Sequence, residues 1–151
     1  MSHANNVGYL LQHLSFVLAR HSDQVLQEQL GIGFSQFKIL MALQWHPNVQ
    51  QKWIAERLGQ TEASISRQIK LLQEQGFLTS LRNAQNRRQH ITRPTPKGER
   101  ITEKAMEILN IYHGPMFDRL SEKQRQQLQE ILTIMHDHAC RGDGREACQT
   151  A

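Results

Sequence analysis

A chain of 151 residues is the length of one domain, or of one domain with a helical extension. Its 38% hydrophobic residues supply a modest core, its two cysteines fall in the last twelve residues and so exclude a disulfide framework, and no apolar run is long enough to span a membrane. The formal charge of +4 is local: Gln60 to Arg100 holds eight Lys or Arg against three Glu, or +5, and the remainder sums to −1, as expected for one face that meets a polyanion.

The N-terminal MSHANN has no basic targeting region, and the apolar run VGYLLQHLSFVLA is interrupted by Gln12 and His13, so the chain reads as a soluble cytoplasmic protein. From Asn6 to Leu30, Val7, Leu10, Leu11, Leu14, Val17, Leu18 and Val25 recur at helical spacing, and Gly31 to Gly33 ends that helix. Ser35 is the expected N-cap of a second helix, with Phe34 and Ile39 as a hydrophobic staple, ending before Pro47. Asn48, with Gln51 at the capping-box position, is expected to start a third helix through Ile54, Ala55 and Leu58 to Gly59. Thr61 caps a fourth, which Gly76 stops.

FLTSLR then alternates as a strand, QHITR is its partner, and NAQNRR is the hairpin loop between them. Thr95-Pro96 opens a long helix expected to break at Gly114-Pro115. Ser121 with Gln124 is a capping box for a last helix through Met135, and residues 139–151, with Gly142, Gly144 and nothing to bury, are an expected disordered tail.

Three short helices followed by a hairpin is the winged helix-turn-helix order, so the fold class is mainly α with a small two- or three-stranded β wing. In the fourth helix Ile65, Ile69 and Leu72 share one face, within about 60° at roughly 100° per residue. Ala63, Arg67 and Lys70 point the opposite way, with Ser64 and Ser66 at the flanks. Small, hydroxylated and cationic side chains are what a major groove admits, and Arg bridges guanine O6 and N7. The candidate recognition set is Thr61, Ala63, Ser64, Ser66, Arg67 and Lys70. The wing adds Arg82, Asn86, Arg87, Arg88 and Arg93, suited to an adjacent minor groove where phosphates on both walls concentrate negative potential.

The stretches WIAERLGQTEASISRQIKLLQEQGFL and NAQNRRQHITRPTPKG resemble the multiple antibiotic resistance regulator (MarR) family of bacterial and archaeal transcription factors. The family's Leu-Ala-x-x-Leu helix is matched by Ile54-Ala55-Glu56-Arg57-Leu58. Its Val/Ile-Ser-Arg is matched by Ile65-Ser66-Arg67, and its Glu-x-Gly-Leu by Glu74-Gln75-Gly76-Phe77. Asn86-Arg87-Arg88 and Pro94-Thr95-Pro96-Lys97-Gly98 stand for the wing tip and the opening of the next helix. Two departures stand out. Asn86 replaces an acid that would orient a wing arginine with charge assistance, and Pro94 replaces a leucine and removes a backbone donor.

The resemblance implies a homodimer that binds double-stranded DNA at an inverted repeat, with half-sites about 34 Å apart, more often as a repressor. The implied division is a dimerisation region over 1–34 and 96–138 and a DNA-binding region over 35–95. The long helical stripes, including Ile101, Ile108, Ile111 and Tyr112, and Leu128, Ile131, Leu132 and Met135, point the same way, because one small chain has little else to set against them. A small-molecule effector pocket is implied between the two regions; His13, Phe16, Arg20, Phe37, Met41 and Trp45 are its candidate lining. Their mixed aromatic and basic character suits a phenolic or carboxylate ligand.

Other chemistries are poorly served. His136 and Cys140 share a helical face but His138 does not, so no metal site is expected, and no cofactor is called for. A metal- or redox-responsive regulator using that segment with Cys148 is a minor alternative, as is a winged-helix adaptor whose wing meets an acidic protein surface. No G-x-S-x-G, P-loop or H-E-x-x-H appears, and catalysis is not expected.

Overall fold

The computed structural model describes residues 6–82 and 90–142, with side chains for 6–81 and 91–139. Helix α1 (Val7–Leu30) starts at Asn6, whose side chain accepts the Tyr9 N–H at 3.1 Å, and ends where Gly31 turns left-handed at φ 68°. Helix α2 (Phe34–Trp45) begins one residue before the expected Ser35 cap. Its first donors are satisfied differently: the Gly33 N–H reaches Gln36 Oε1 at 3.0 Å, and the Phe34 N–H reaches the Asp23 carboxylate, eleven residues back on α1, at 2.8 Å. An acid from a neighbouring helix thus caps α2 and leaves the Ser35 hydroxyl for another partner.

Helix α3 (Gln51–Leu58), by contrast, starts later than expected. Its N-cap is Gln50, without a side-chain bond, because the Asn48 side chain is engaged by Arg93. Helix α4 (Glu62–Glu74) follows the sequence closely: Thr61 accepts the Ser64 N–H at 3.2 Å, and Gly76, at φ 76°, ends the run. Strands β1 (Leu78–Arg82) and β2 (His90–Pro94) pair antiparallel from Leu78 opposite Pro94 to Arg82 opposite His90. Among the described residues the sheet has these two strands.

Helix α5 (Pro96–Phe117) passes through Gly114-Pro115, where a break was expected. Proline deletes one bond, to the Ile111 carbonyl, but Ile111 is 78% exposed and the ladder resumes with the Asp118 N–H on Gly114. Helix α6 (Glu122–Gly142) has the expected reciprocal box, Ser121 N–H to Gln124 Oε1 at 2.9 Å and Gln124 N–H to Ser121 Oγ at 3.3 Å. It extends beyond Met135, so residues 139–142 of the expected disordered tail are helical and the rest of that tail lies outside the described residues.

The core gathers Leu26 from the end of α1, Ile32, then Ile39, Leu40 and Leu43 of α2, Ile54 of α3, Ile65, Ile69 and Leu72 of α4, Phe77, Leu78 and Ala105. It lies around the helix-turn-helix and the start of α5. The N-terminal half of α1, the C-terminal half of α5 and the described part of α6 bury no side chain. Apart from Trp45, Leu71 and Leu81, every exposed large hydrophobic residue lies on those three helices. Among the described helices none is long and apolar enough to cross a membrane.

Candidate nucleic-acid interface

The turn between α3 and α4 is built on three residues. Gly59 closes α3 with a left-handed backbone, φ 63°, and Thr61 caps α4. Gln60 between them is the tie that sequence reading missed. Its N–H donates to the Ala55 carbonyl at 2.9 Å, its Nε2 donates to Ser35 Oγ on α2 at 2.7 Å, and its Oε1 accepts the Ser64 hydroxyl on α4 at 3.2 Å. One side chain therefore fixes α4 against α2 across the turn. Its partner Ser35 lies 25 residues away, and no local pattern announces such a bond.

Burial of Ile65, Ile69 and Leu72 at 3% exposure or less anchors one face of α4 in the core. Ala63, Ser66, Arg67 and Lys70 are exposed on the other, where the sequence put them. Among the described residues neither Arg67 nor Lys70 takes part in an ion pair. Both cations are exposed to solvent. Two expected contact residues serve the helix itself: Thr61 accepts the Ser64 N–H, and half-buried Ser64 donates its hydroxyl to Gln60. A cleft of about 330 Å³ opens between α4 and the wing, with Ser66, Lys70 and Gln73 on one wall, Ser80 and Thr92 on the other, and Val49 to Gln51 at its end.

Of the wing set, Asn86, Arg87 and Arg88 lie outside the described residues, as does the side chain of Arg82. Arg93 is exposed on β2, and its Nε and one terminal nitrogen both donate to Asn48 Oδ1, at 3.2 and 2.8 Å. The wing's base is thereby tied to the loop before α3.

A family model described as MarR family matches residues 30–89, the stretch from the end of α1 through the helix-turn-helix and the first wing strand. Over that stretch, about two fifths of the sequence, the chain is similar to the MarR family. A helix-turn-helix regulator of Bacillus cereus is 24% identical over 139 residues, covering 89% of this chain and 92% of that one. Solved structures agree on the fold. A MarR structure superposes with a TM-score of 0.79 at 21% identity, covering 95% of this chain and 97% of that one. A Staphylococcus aureus MepR–DNA complex gives 0.72 at 24%, covering 91% and 99%. A MarR-family protein of Mycobacterium tuberculosis, in complex with p-aminosalicylic acid, gives 0.73 at 18%, covering 86% and 98%.

The six candidate effector residues are spread out. His13, Phe16 and Arg20 are exposed on α1, Phe37 is buried in the core, Met41 is half-buried and Trp45 is 59% exposed. None of them lines the cleft beside α4 or the shallower groove bounded by Asn48, Lys52, Trp53 and Glu56. Where α1 crosses α5, Ser22 Oγ and His113 Nε2 are hydrogen-bonded at 3.0 Å, and the Tyr112 ring meets both His21 and His113 edge-on. Burial, and secondarily the charge of His21, holds the His113 imidazole below its usual pKa. Among the described residues no three His, Cys, Asp or Glu stand together as metal ligands; the Cys140 and Cys148 side chains lie outside them.

Proposed function

We propose that the protein is a homodimeric repressor that sets α4 of each copy into the major groove at the two halves of an inverted repeat. Ala63, Ser66, Arg67 and Lys70 meet base edges and phosphates there, Thr61 lies at the helix entrance, and Ser64 supports from the flank. Arg82, Arg87, Arg88 and Arg93, with Asn86, follow the adjacent minor groove. The observation that carries this reading is the division of α4: three core anchors on one face and exposed cations with small side chains on the other. A rigid helix with such a face lets Arg approach guanine without first breaking an ion pair.

Dimerisation is supported by the apolar side chains that one copy leaves in water. On α1 these include Leu10, Leu14 and Phe16, on α5 Ile111 and Phe117, and on α6 Ile131 and Ile134. Each contributes about 1.5–3 kcal/mol when fully buried. Covering several on each copy offsets an association cost of roughly 4–15 kcal/mol. Residues 1–34 and 96–138 would then form the dimer and 35–95 the DNA-binding lobe. The proposed effector is a small aromatic acid or phenol, taken up between lobe and dimer helices. The exposed faces of His13, Phe16, Arg20 and Trp45 favour a pocket that a second copy completes, with Met41 and Phe37 at its floor. The p-aminosalicylic acid complex of a protein with the same fold supports that ligand class. Such a ligand acts by preferring a spacing of the two α4 helices that does not fit DNA.

A gel-shift titration on DNA flanking the protein's own gene, with excess non-specific competitor and at two salt concentrations, tests the reading. The expected result is a saturable, competitor-resistant shift on an inverted repeat, weakened by an aromatic acid. Binding that competitor abolishes on every fragment refutes the operator.

A further inference from the structure

Asn48 and Arg93 lie 45 residues apart, yet the guanidinium spends two donors on one amide oxygen. Asn48 is also the one non-glycine residue among those described with a positive φ, 74°. Few side chains but asparagine and aspartate adopt that backbone readily. The pair is adjacent in sequence to the cleft beside α4: Val49, next to Asn48, and Thr92, next to Arg93, both line it, together with Ser66 and Lys70.

Two features distinguish this tie from one that merely holds the fold. The contact is exposed, where a hydrogen bond adds little to stability because water competes for both partners. The acceptor is neutral, and among the described residues no carboxylate pairs with Arg93. The guanidinium is thus fixed in direction while keeping its full charge, and among the described residues the bond to Asn48 engages two of its five N–H donors. An aspartate at position 48 would fit the same backbone and hold the arginine more strongly, but it would cancel the charge.

We propose that Asn48 is a positioning residue for DNA binding, which aims Arg93 from the base of the wing at a backbone phosphate beside the groove that α4 enters. The proposal rests on the DNA-binding reading of α4 and the wing. Held in place, Arg93 gives up less side-chain freedom on reaching the phosphate, and its charge releases counterion when it arrives.

Two substitutions separate aim from charge. Asn48→Gly keeps the left-handed backbone and removes the acceptor; Asn48→Asp keeps the acceptor and neutralises the guanidinium. With Arg93→Ala and the Asn48→Gly/Arg93→Ala double variant, these would be titrated as full chains against a fluorescein-labelled mixed-sequence duplex over a series of salt concentrations. Thermal melts would establish that each is folded. Arg93→Ala is expected to weaken binding roughly fivefold and to flatten the log-log salt slope by about 0.9, one phosphate contact. Asn48→Asp should reproduce that flatter slope. Asn48→Gly should weaken binding roughly threefold with the slope retained, and the double variant should match Arg93→Ala alone. A salt slope unmoved by Asn48→Asp, or independent additive losses in the double variant, overturns the positioning role. Wild-type protein that binds no duplex overturns the DNA-contact reading and this role with it.

Discussion

Gln60 Nε2 and Ser35 Oγ are 2.7 Å apart, a hydrogen bond that spans the helix-turn-helix from the turn to the far helix, while Oε1 of the same side chain holds Ser64. One uncharged, half-buried residue thus ties α4 to α2. Removing it with Gln60→Ala leaves part-buried hydroxyls at Ser35 and Ser64 to find new partners, at about 1–2 kcal/mol. Denaturant unfolding should show that loss. DNA affinity should fall several-fold beyond what the unfolded fraction explains, because α4 is no longer fixed against α2. Unchanged affinity in a destabilised protein would mean that the core anchors alone orient the helix.

Gly98 is the tightest backbone approach described. A Cβ there would overlap the Phe77 carbonyl oxygen, which already accepts the Thr95 N–H at 3.0 Å. Helix propensity alone favours Gly98→Ala by about 1 kcal/mol. The overlap is with backbone and cannot swing aside, so the expected net effect is a loss of about 1–3 kcal/mol and a lower melting temperature. A higher one would show that the entry of α5 shifts freely against the wing.

Ile111 is 78% exposed in the single chain, so Ile111→Glu costs the protomer almost nothing. In a dimer that covers α5 it buries a charge. Sedimentation at micromolar concentration is expected to find wild-type dimer and variant monomer. A wild-type monomer would remove the paired-helix mechanism altogether.

The His113 imidazole has a pKa held below 6.5 by burial, reinforced by the charge of His21. A histidine whose folded pKa is depressed contributes no penalty while both states are neutral. As pH falls below the unfolded value the unfolded chain takes up a proton first, so stability is lost across the window from 6.5 down to the folded pKa. The urea midpoint of the wild type should drop between about pH 7.5 and about pH 5.5 at fixed protomer concentration, and His113→Gln should drop less. Equal drops would assign the dependence to other groups.

What the sequence disclosed follows from the range of each signal. Thr61, Gly76, the α4 stripe and the Ser121–Gln124 box are local, with partners within a few residues, and the strands pair across one short hairpin. The starts of α2 and α3 were misread because distant side chains intervene: Asp23 supplies the cap expected of Ser35, and Arg93 occupies the side chain expected to cap α3. Gly114-Pro115 does not break α5 because the carbonyl that the proline orphans belongs to exposed Ile111, and that exposure is not reported by spacing. In the site, the exposed set on α4 was legible from periodicity, whereas Gln60 and Asn48 were not, since both act through contacts 25 and 45 residues distant. The effector residues were named from the resemblance, and in one copy they enclose no shared cavity among those described.

On the proposed function the exposed face of α4 reads base sequence. Its most direct test is the ratio of affinities for the shifted inverted repeat and for a scrambled duplex of equal length, measured at one salt concentration for wild type and Arg67→Ala. Loss of a bidentate arginine–guanine contact, about 1–3 kcal/mol, should lower that ratio roughly tenfold or more, beyond any uniform loss of affinity. A ratio that stays constant while both affinities fall would contradict the account, and would reduce Arg67 to a phosphate contact.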